Sequence, residues 1–215
     1  MLRQILPAPE ALVFDIGANR GAYTSLVLDT APGRMRVHSF EPSPAAYAEL
    51  ARRFSHDDRV ETHNIGFSDE EGPGVLLSDS EGSELGSLHH RAHLGERAPV
   101  EESVRLCRVD SFCGERGITR IDLLKVDTEG HDLRVLRGAG ALLDGRAIRA
   151  IQFEHGGTAP DARVFLRDFF DLLDGRYLIH RVLPDGLWPL RRYRSHDEIP
   201  LYANYVALST LDGGR

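Results

Sequence analysis

The sequence predicts one α/β domain built on a doubly wound, mostly parallel sheet that ends in a C-terminal antiparallel strand. Three observations carry this. Short apolar runs alternate with segments of helical period in five βα steps. Four runs end in an acid at a turn (Asp15, Glu41, Asp127 and Glu154), and open α/β sheets form their ligand crevice at the carboxyl ends of strands. The last run, residues 201–208, follows no helix and must therefore pair antiparallel with its neighbour.

At 215 residues the chain has room for one domain with a sizeable core and too little for two. No apolar run approaches a membrane span, and residues 1–8 lack the zones of a signal peptide. Cys107 and Cys113, the only cysteines, read as free thiols in a reducing cytosol, so a cytoplasmic location is expected. A net charge of −7 argues against a nucleic-acid partner. Among 26 basic residues Lys125 is the sole lysine, a compact point charge rather than a guanidinium fork.

In chain order, residues 11–14 form the first strand. Asp15 closes it, a turn with Gly17, Ala18, Asn19 and Gly21 follows, and residues 22–28 open a helix. The spacing is not that of the dinucleotide fingerprint, which seats a pyrophosphate on a helix N-terminus. Asp15 would repel phosphate and suits a ligand carrying an ammonium or sulfonium group. Residues 36–40 form the second strand, ending in Glu41-Pro42-Ser43-Pro44, and residues 45–54 form a helix with Tyr47, Leu50 and Phe54 on one face. Glu41, some twenty residues beyond the glycine turn, stands where a carboxylate accepts hydrogen bonds from ribose hydroxyls; the plainer reading is a helix-start acid. Residues 59–65 form the third strand, ending in Asn64 and small or apolar neighbours suited to an adenine edge.

Residues 67–102 are rich in Ser, Glu, Gly and His, with one strand at 75–78. So long an excursion is functional or disordered, and a substrate-facing lid is the preferred reading. A metal site at His89, His90 and His93 is the alternative, without a cysteine or regular scaffold to support it. Residues 103–109 alternate as a strand, and a short helix from Asp110 ends at Gly117. Residues 123–126 form a buried central strand interrupted by Lys125 and closed by Asp127, followed by Thr128-Glu129-Gly130 and a helix beginning near His131. Alternation puts Lys125 and Asp127 on one side of that strand, as an ion pair, since unpaired buried charges are costly.

Residues 147–153 form a further strand, ending in Glu154-His155-Gly156-Gly157, and residues 162–173 an amphipathic helix. Strands at 176–183 and 201–208 are joined by a connection carrying Trp188, Arg191, Arg192, Tyr193 and Arg194, either an acidic or sugar substrate surface or a solvated one. Residues 212–215 form a loose tail.

Together DIGANRG, SFEPSP, LLKVDTEGHD and IQFEHGG, in this order and spacing, resemble the FkbM-type S-adenosylmethionine-dependent methyltransferases over residues 11–157, with Gly86-Ser87-Leu88 a weaker match. The resemblance implies a Rossmann-like class I methyltransferase fold, S-adenosylmethionine as cofactor, and O-methylation of a sugar, glycoside or polyketide hydroxyl. It also implies that Asp15, Gly17, Asn19 and Gly21 line the methionine end, with Ala18 in the same turn. Glu41 would hold the ribose, with Pro42, Ser43 and Asn64 near the adenosine and Asp127 near the reacting methyl. Many relatives carry longer N-terminal extensions, so the lid is expected from residues 67–102 or from a partner subunit in a homo-oligomer.

An alcohol is a poor nucleophile, so a base or a metal is expected. The candidates are His131, His155 and Asp127, with Lys125 as Asp127's partner. Histidine's pKa near neutrality favours an imidazole base, although each histidine reads equally as a helix cap or surface residue. Asp127 and Glu154 can instead hold Mg²⁺ through oxygen ligands. The acceptor is expected to be a small molecule or a glycan. The rival readings are an NAD(P)-dependent oxidoreductase, against which the glycine spacing and terminal antiparallel strand weigh, and a non-catalytic cofactor-binding scaffold.

Overall fold

Apolar residues alternating to both faces place β1 (Glu10–Ile16) at the heart of the sheet, with Val13 and Phe14 fully buried on opposite sides. The computed structural model describes residues 2–6, 10–30, 34–89, 99–198 and 201–210. After β1 the strands are β2 (Arg34–Phe40), β3 (Val60–His63), β4 (Gly66–Phe67), β5 (Gly72–Ser78), β6 (Val100–Cys107), β7 (Ile121–Val126), β8 (Ile148–His155), β9 (Tyr177–Leu183), β10 (Gly186–Leu190) and β11 (Ala203–Ser209). The helices are α1 (Leu2–Ile5), α2 (Ala22–Thr30), α3 (Pro44–Phe54), α4 (Val109–Arg116), α5 (Asp132–Arg137), α6 (Gly140–Asp144), α7 (Ala159–Ala162) and α8 (Leu166–Leu173).

Eight strands form the main sheet in the order β10-β9-β11-β8-β7-β1-β2-β3. From β3 through β8 every pairing is parallel, whereas β11 runs antiparallel to both β8 and β9, between which it inserts. This is the predicted class I methyltransferase arrangement. The ends of β1, β2, β3, β7 and β8 share one edge, where the acid-bearing turns collect.

Three sequence readings need correction. The strand expected at 103–109 lies earlier, at β6, and joins β4 and β5 in a separate three-stranded sheet. The Trp-rich connection contains β10, paired antiparallel with β9; Pro189 is tolerated there because β10 is an edge strand. The helix expected over 162–173 starts later, at α8, after the short α7, which Arg163 caps at a left-handed φ of +54°. His90, His93 and the 212–215 tail lie outside the described residues.

The core fills both faces of the sheet. Phe14, Phe40, Phe112, Phe153 and Phe169 pack on one side, and Val13, Val27, Val37, Leu123 and Val206 on the other. Ser43 caps helix α3, its hydroxyl accepting from the Ala46 amide, and the helix buries Ala46, Leu50 and Phe54. Gly21 is required by this packing: a Cβ there would meet the Phe54 ring at 2.4 Å. Among the described residues no helix is long and apolar enough to cross a membrane.

Candidate active site

The β1 turn is shaped by backbone approach. Gly17 has φ +77°, and a Cβ on it would lie 1.8 Å from the Asp127 carbonyl oxygen, so only glycine lets the turns after β1 and β7 touch. The Gly17 and Ala18 amides donate to the Phe40 carbonyl at 3.0 and 2.9 Å, tying this turn to the end of β2. Asn19, at φ +46°, donates its amide to Glu41 Oε2 at 2.9 Å, and the Ser43 amide donates to Glu41 Oε1 at 2.9 Å. Two backbone donors therefore fix the Glu41 carboxylate and leave each oxygen further acceptor capacity. Burial raises the Glu41 pKa to about 7, helped by the Glu102 and Asp15 carboxylates and opposed by the two amide bonds.

A small cavity of about 60 Å³, opening to solvent, lies at this edge. Gly17, Asn19, Glu41, Pro42, Asp127 and His131 are in its wall. Ser83, Glu84, Gly86 and Leu88, from the excursion after β3, form another side.

Several expected site residues lie behind the wall instead. Asp15 is fully buried, accepting from the Thr24 hydroxyl at 2.7 Å and from Lys125 Nζ at 3.2 Å. Lys125 also reaches Asp127 at 3.4 Å, so the predicted ion pair forms and gains a second carboxylate. Ser43 donates its hydroxyl to Glu102 Oε1 at 2.7 Å. The Asn64 side-chain amide donates to the Glu41 and Pro42 carbonyls, both at 2.9 Å, so it holds that loop while facing a neighbouring cleft.

The two candidate imidazoles do not meet. His155 lies in a separate, mostly apolar cleft with Ala159, Val164 and Phe165, its Nε2 3.3 Å from Glu198 Oε2. His131 is buried, with Nε2 3.0 Å from Ser68 Oγ and Nδ1 3.0 Å from His89 Nε2. The Ser68 hydroxyl donates to Asp69 at 3.1 Å, so it accepts from His131 Nε2–H. This network assigns Nδ1 of His131 as an acceptor facing the His89 N–H. Burial holds the His131 pKa down at about 4, with His89 and Arg134 adding to the effect and Asp69 opposing it.

Glu154 is outside the cavity wall, and burial with the Asp127, Asp132 and Glu129 carboxylates raises its pKa to about 8. The Asp127–Glu154 metal pair belongs to no group of three close ligating side chains among the described residues. Sequence reasoning missed Asp132. Fully buried, it accepts from the Thr128 amide at 3.2 Å, the Thr128 hydroxyl at 2.8 Å and the Glu154 amide at 3.1 Å. It thereby fixes the turn after β7, and an acid at the first position of α5 was the available signal. Ser68 left no signal, since its role depends on a partner 63 residues away.

The sequence model of the Methyltransferase FkbM domain matches residues 15–181. The chain belongs to the FkbM methyltransferase family. It is 30% identical over 187 residues to the 2-O-methyltransferase NoeI of Sinorhizobium fredii, covering 81% of this chain and 76% of NoeI. It is 28% identical over 156 residues to the 31-O-demethyl-FK506 methyltransferase FkbM of Streptomyces tacrolimicus, covering 60% of each. The crystal structure of methyltransferase FkbM from Methylobacillus flagellatus superposes with a TM-score of 0.56 at 15% identity, covering 94% of this chain and 45% of that one. The match spans about three fifths of the Streptomyces FkbM and under half of the Methylobacillus protein.

As an FkbM methyltransferase the protein is S-adenosylmethionine-dependent, and the cavity residues fit that cofactor. Glu41 presents fixed acceptors of the kind a vicinal diol uses. Phe40, Ile65, Phe67 and Leu76 supply apolar wall, while Glu41, Glu84, Asp127 and Glu129 give it an acidic character that attracts a sulfonium and repels phosphate. Family membership sets aside both the nicotinamide oxidoreductase and the non-catalytic scaffold.

Proposed function

We propose that this FkbM methyltransferase methylates a hydroxyl of a sugar, glycoside or polyketide-type acceptor, using His131 as general base. The carrying observation is that His131 is in the cavity wall with one nitrogen held by Ser68 and the other, an acceptor, facing only the replaceable His89 N–H. The relatives act at oxygen by their names, 2-O and 31-O, and this supports a hydroxyl acceptor here.

Bound S-adenosylmethionine supplies an electrophilic methyl on a sulfonium. In the proposed arrangement Glu41 accepts from the ribose hydroxyls, while Gly17 and Asn19 border the methionine end. Lys125, held between Asp15 and Asp127, keeps Asp127 in position at the wall. The acceptor hydroxyl replaces His89 at Nδ1 of His131 and passes its proton there, while Ser68 keeps the ring in orientation. Burial keeps His131 neutral near pH 7, so the nitrogen is ready to accept. Residues 83–88 act as the lid. The two buried thiols support a cytoplasmic location.

Mg²⁺ between Asp127 and Glu154 is the second reading, favoured by the nearness of the Asp127 carboxylate, which adds to burial in raising the Glu154 pKa. Mass spectrometry of a hydroxyl-acceptor library with methyl-labelled cofactor, with and without a chelator, tests both. Chelator-resistant O-methylation that collapses in His131→Gln is the expected result. Chelator-sensitive turnover would favour the Mg²⁺ reading, and methylation at nitrogen or carbon alone would overturn the acceptor class.

A further inference from the structure

Away from the cavity, β2 and β3 carry a second set of ligand-type side chains. His38 and Glu61 are cross-strand partners, and His63 follows Glu61 by two residues. Alternation therefore puts all three on one face of the sheet. Strand β3 is the edge of that sheet, so the group is reachable from solvent.

The two imidazoles are held by the core. The His63 ring stacks on Phe40 at 4.8 Å and meets the Phe112 edge at 5.1 Å, and His38 packs on Phe14 at 5.2 Å. The His38 and His63 side chains are 12% and 10% exposed, whereas Glu61 is 60% exposed. His38 Nδ1 lies 3.0 Å from His63 Nε2, and the Glu61 oxygens lie 3.7 and 3.5 Å from these two nitrogens. Ligand atoms at ~2.0–2.1 Å from a tetrahedral ion are separated by ~3.3 Å. The imidazole pair lies a little inside that value and each Glu61 oxygen, facing one ring, a little outside it; with one ligand atom from each residue, all three lie within 4.8 Å of one another. In the present arrangement the two imidazoles share one proton, which a metal ion would replace after a small rotation of the rings.

The donor set narrows the ion. Two imidazoles and one carboxylate suit Zn²⁺ and neighbouring late transition metals, while Mg²⁺ and Ca²⁺ prefer oxygen throughout. Arg36 and Arg116 also face this cluster. They disfavour protonated rings and oppose a cation, and Glu61 offsets part of their charge.

We propose that His38, Glu61 and His63 form a late-transition-metal site, Zn²⁺ being the type ion, with three protein ligands and a solvent-facing fourth position. The site bears on the cavity through shared parts: Phe40, on which His63 stacks, is in the cavity wall, and the Glu41 amide donates to the His63 carbonyl at 3.0 Å. Bound metal would clamp the β2–β3 edge beneath the loop that presents Glu41.

The test is titration of untagged, metal-stripped full chain with Zn²⁺ by calorimetry, and with Co²⁺ by visible absorption. The expected result is one equivalent bound with a Co²⁺ band of low-coordinate intensity, a Zn²⁺-dependent rise in Tm, and loss of all three in His38→Gln/His63→Gln. Glu61→Ala, at an exposed position, should keep the fold and weaken Zn²⁺ binding by ~10–100-fold, taking the loss typical of perturbed metal sites as a guide. His89→Gln, which removes the other imidazole pair, should leave the signal intact. Unaltered Zn²⁺ binding in both Glu61→Ala and the double variant, transfer of the loss to His89→Gln, or no binding by the unsubstituted chain would each overturn the site. None of these readouts depends on methyl transfer.

Discussion

Lys125 lies directly across from Asp15 in the parallel β1–β7 pair, and its ammonium stands 3.2 Å from the Asp15 carboxylate. The same ammonium is 3.4 Å from Asp127. One buried cation thus serves two carboxylates from adjacent strands. Burial alone would pull the Lys125 pKa down; Asp15 and Asp127 outweigh it and leave the pKa raised.

Lys125→Met should therefore destabilise the protein by about 3–5 kcal/mol, because Asp15 is left as an uncompensated buried charge. Asp15→Asn/Lys125→Met should recover a large part of the loss. Urea unfolding of the three proteins measures this, and a single-variant loss below about 1 kcal/mol would remove the pairing argument.

Gly17→Ala should impair cofactor binding more than any other single-methyl change in the turn. The new Cβ falls on the Asp127 carbonyl, and the residue must also hold a left-handed φ. Calorimetry with S-adenosylhomocysteine should read at least a tenfold loss of affinity, about 1.4 kcal/mol.

Glu41 gives cofactor binding a pH dependence of defined sign. Its carboxyl, raised to about 7, must be ionised to accept both ribose hydroxyls in the proposed pose. S-adenosylhomocysteine affinity should rise from pH 6 to pH 8 and then level off. Glu41→Gln should lie roughly 10–100-fold weaker at pH 8, the worth of a charge-assisted hydrogen bond, with the pH slope gone. A slope retained in Glu41→Gln would move the titration to another group.

His131 makes two signatures. With a pKa of about 4, the proposed base remains unprotonated well below neutrality, so kcat should show no fall near pH 6.5. His131→Gln should lower kcat by about 10²–10⁴-fold while cofactor affinity stays within about twofold. His155→Gln should spare the chemical step, since its cleft is separate. The stability signature follows from linkage. An unfolded histidine binds its proton near pH 6.5 and the folded one only near pH 4, so stability is full above pH 6.5 and is lost as pH falls toward 4. The upper bound from this residue is about 3 kcal/mol. Denaturant titrations at pH 7, 5.5 and 4.5 should show His131→Gln losing less over this range.

Glu154 has the opposite sign. Its folded pKa is raised from 4.5 to about 8, so its contribution is full below pH 4.5 and is lost as pH rises through 8. Glu154→Gln should raise Tm at pH 8.5 and change little at pH 4.5. Scanning calorimetry at the two pH values checks this, and equal Tm shifts at both would contradict a pKa raised by burial and the neighbouring carboxylates.

The amino-acid sequence by itself determined the parallel strands, the antiparallel finish, the acid-tipped strand ends and the Gly17–Gly21 turn. Each depends on patterns within a few neighbouring residues: alternation, helical period, and a glycine where the backbone turns left-handed. It also carried the Lys125–Asp127 pair, because two positions apart on a strand means one face. Tertiary structure alone decided which strand-end acid faces the cavity and which is sealed: Glu41 and Asp127 line it, while Asp15 is buried against Lys125, 110 residues away. Long-range contact likewise separated His131 from His155, set Asn64 against its own loop, and brought His38 beside Glu61 and His63. The physical reason is common to all of these. A side chain's chemistry follows from its local type, but its partners, burial and pKa follow from atoms that only the folded chain brings near.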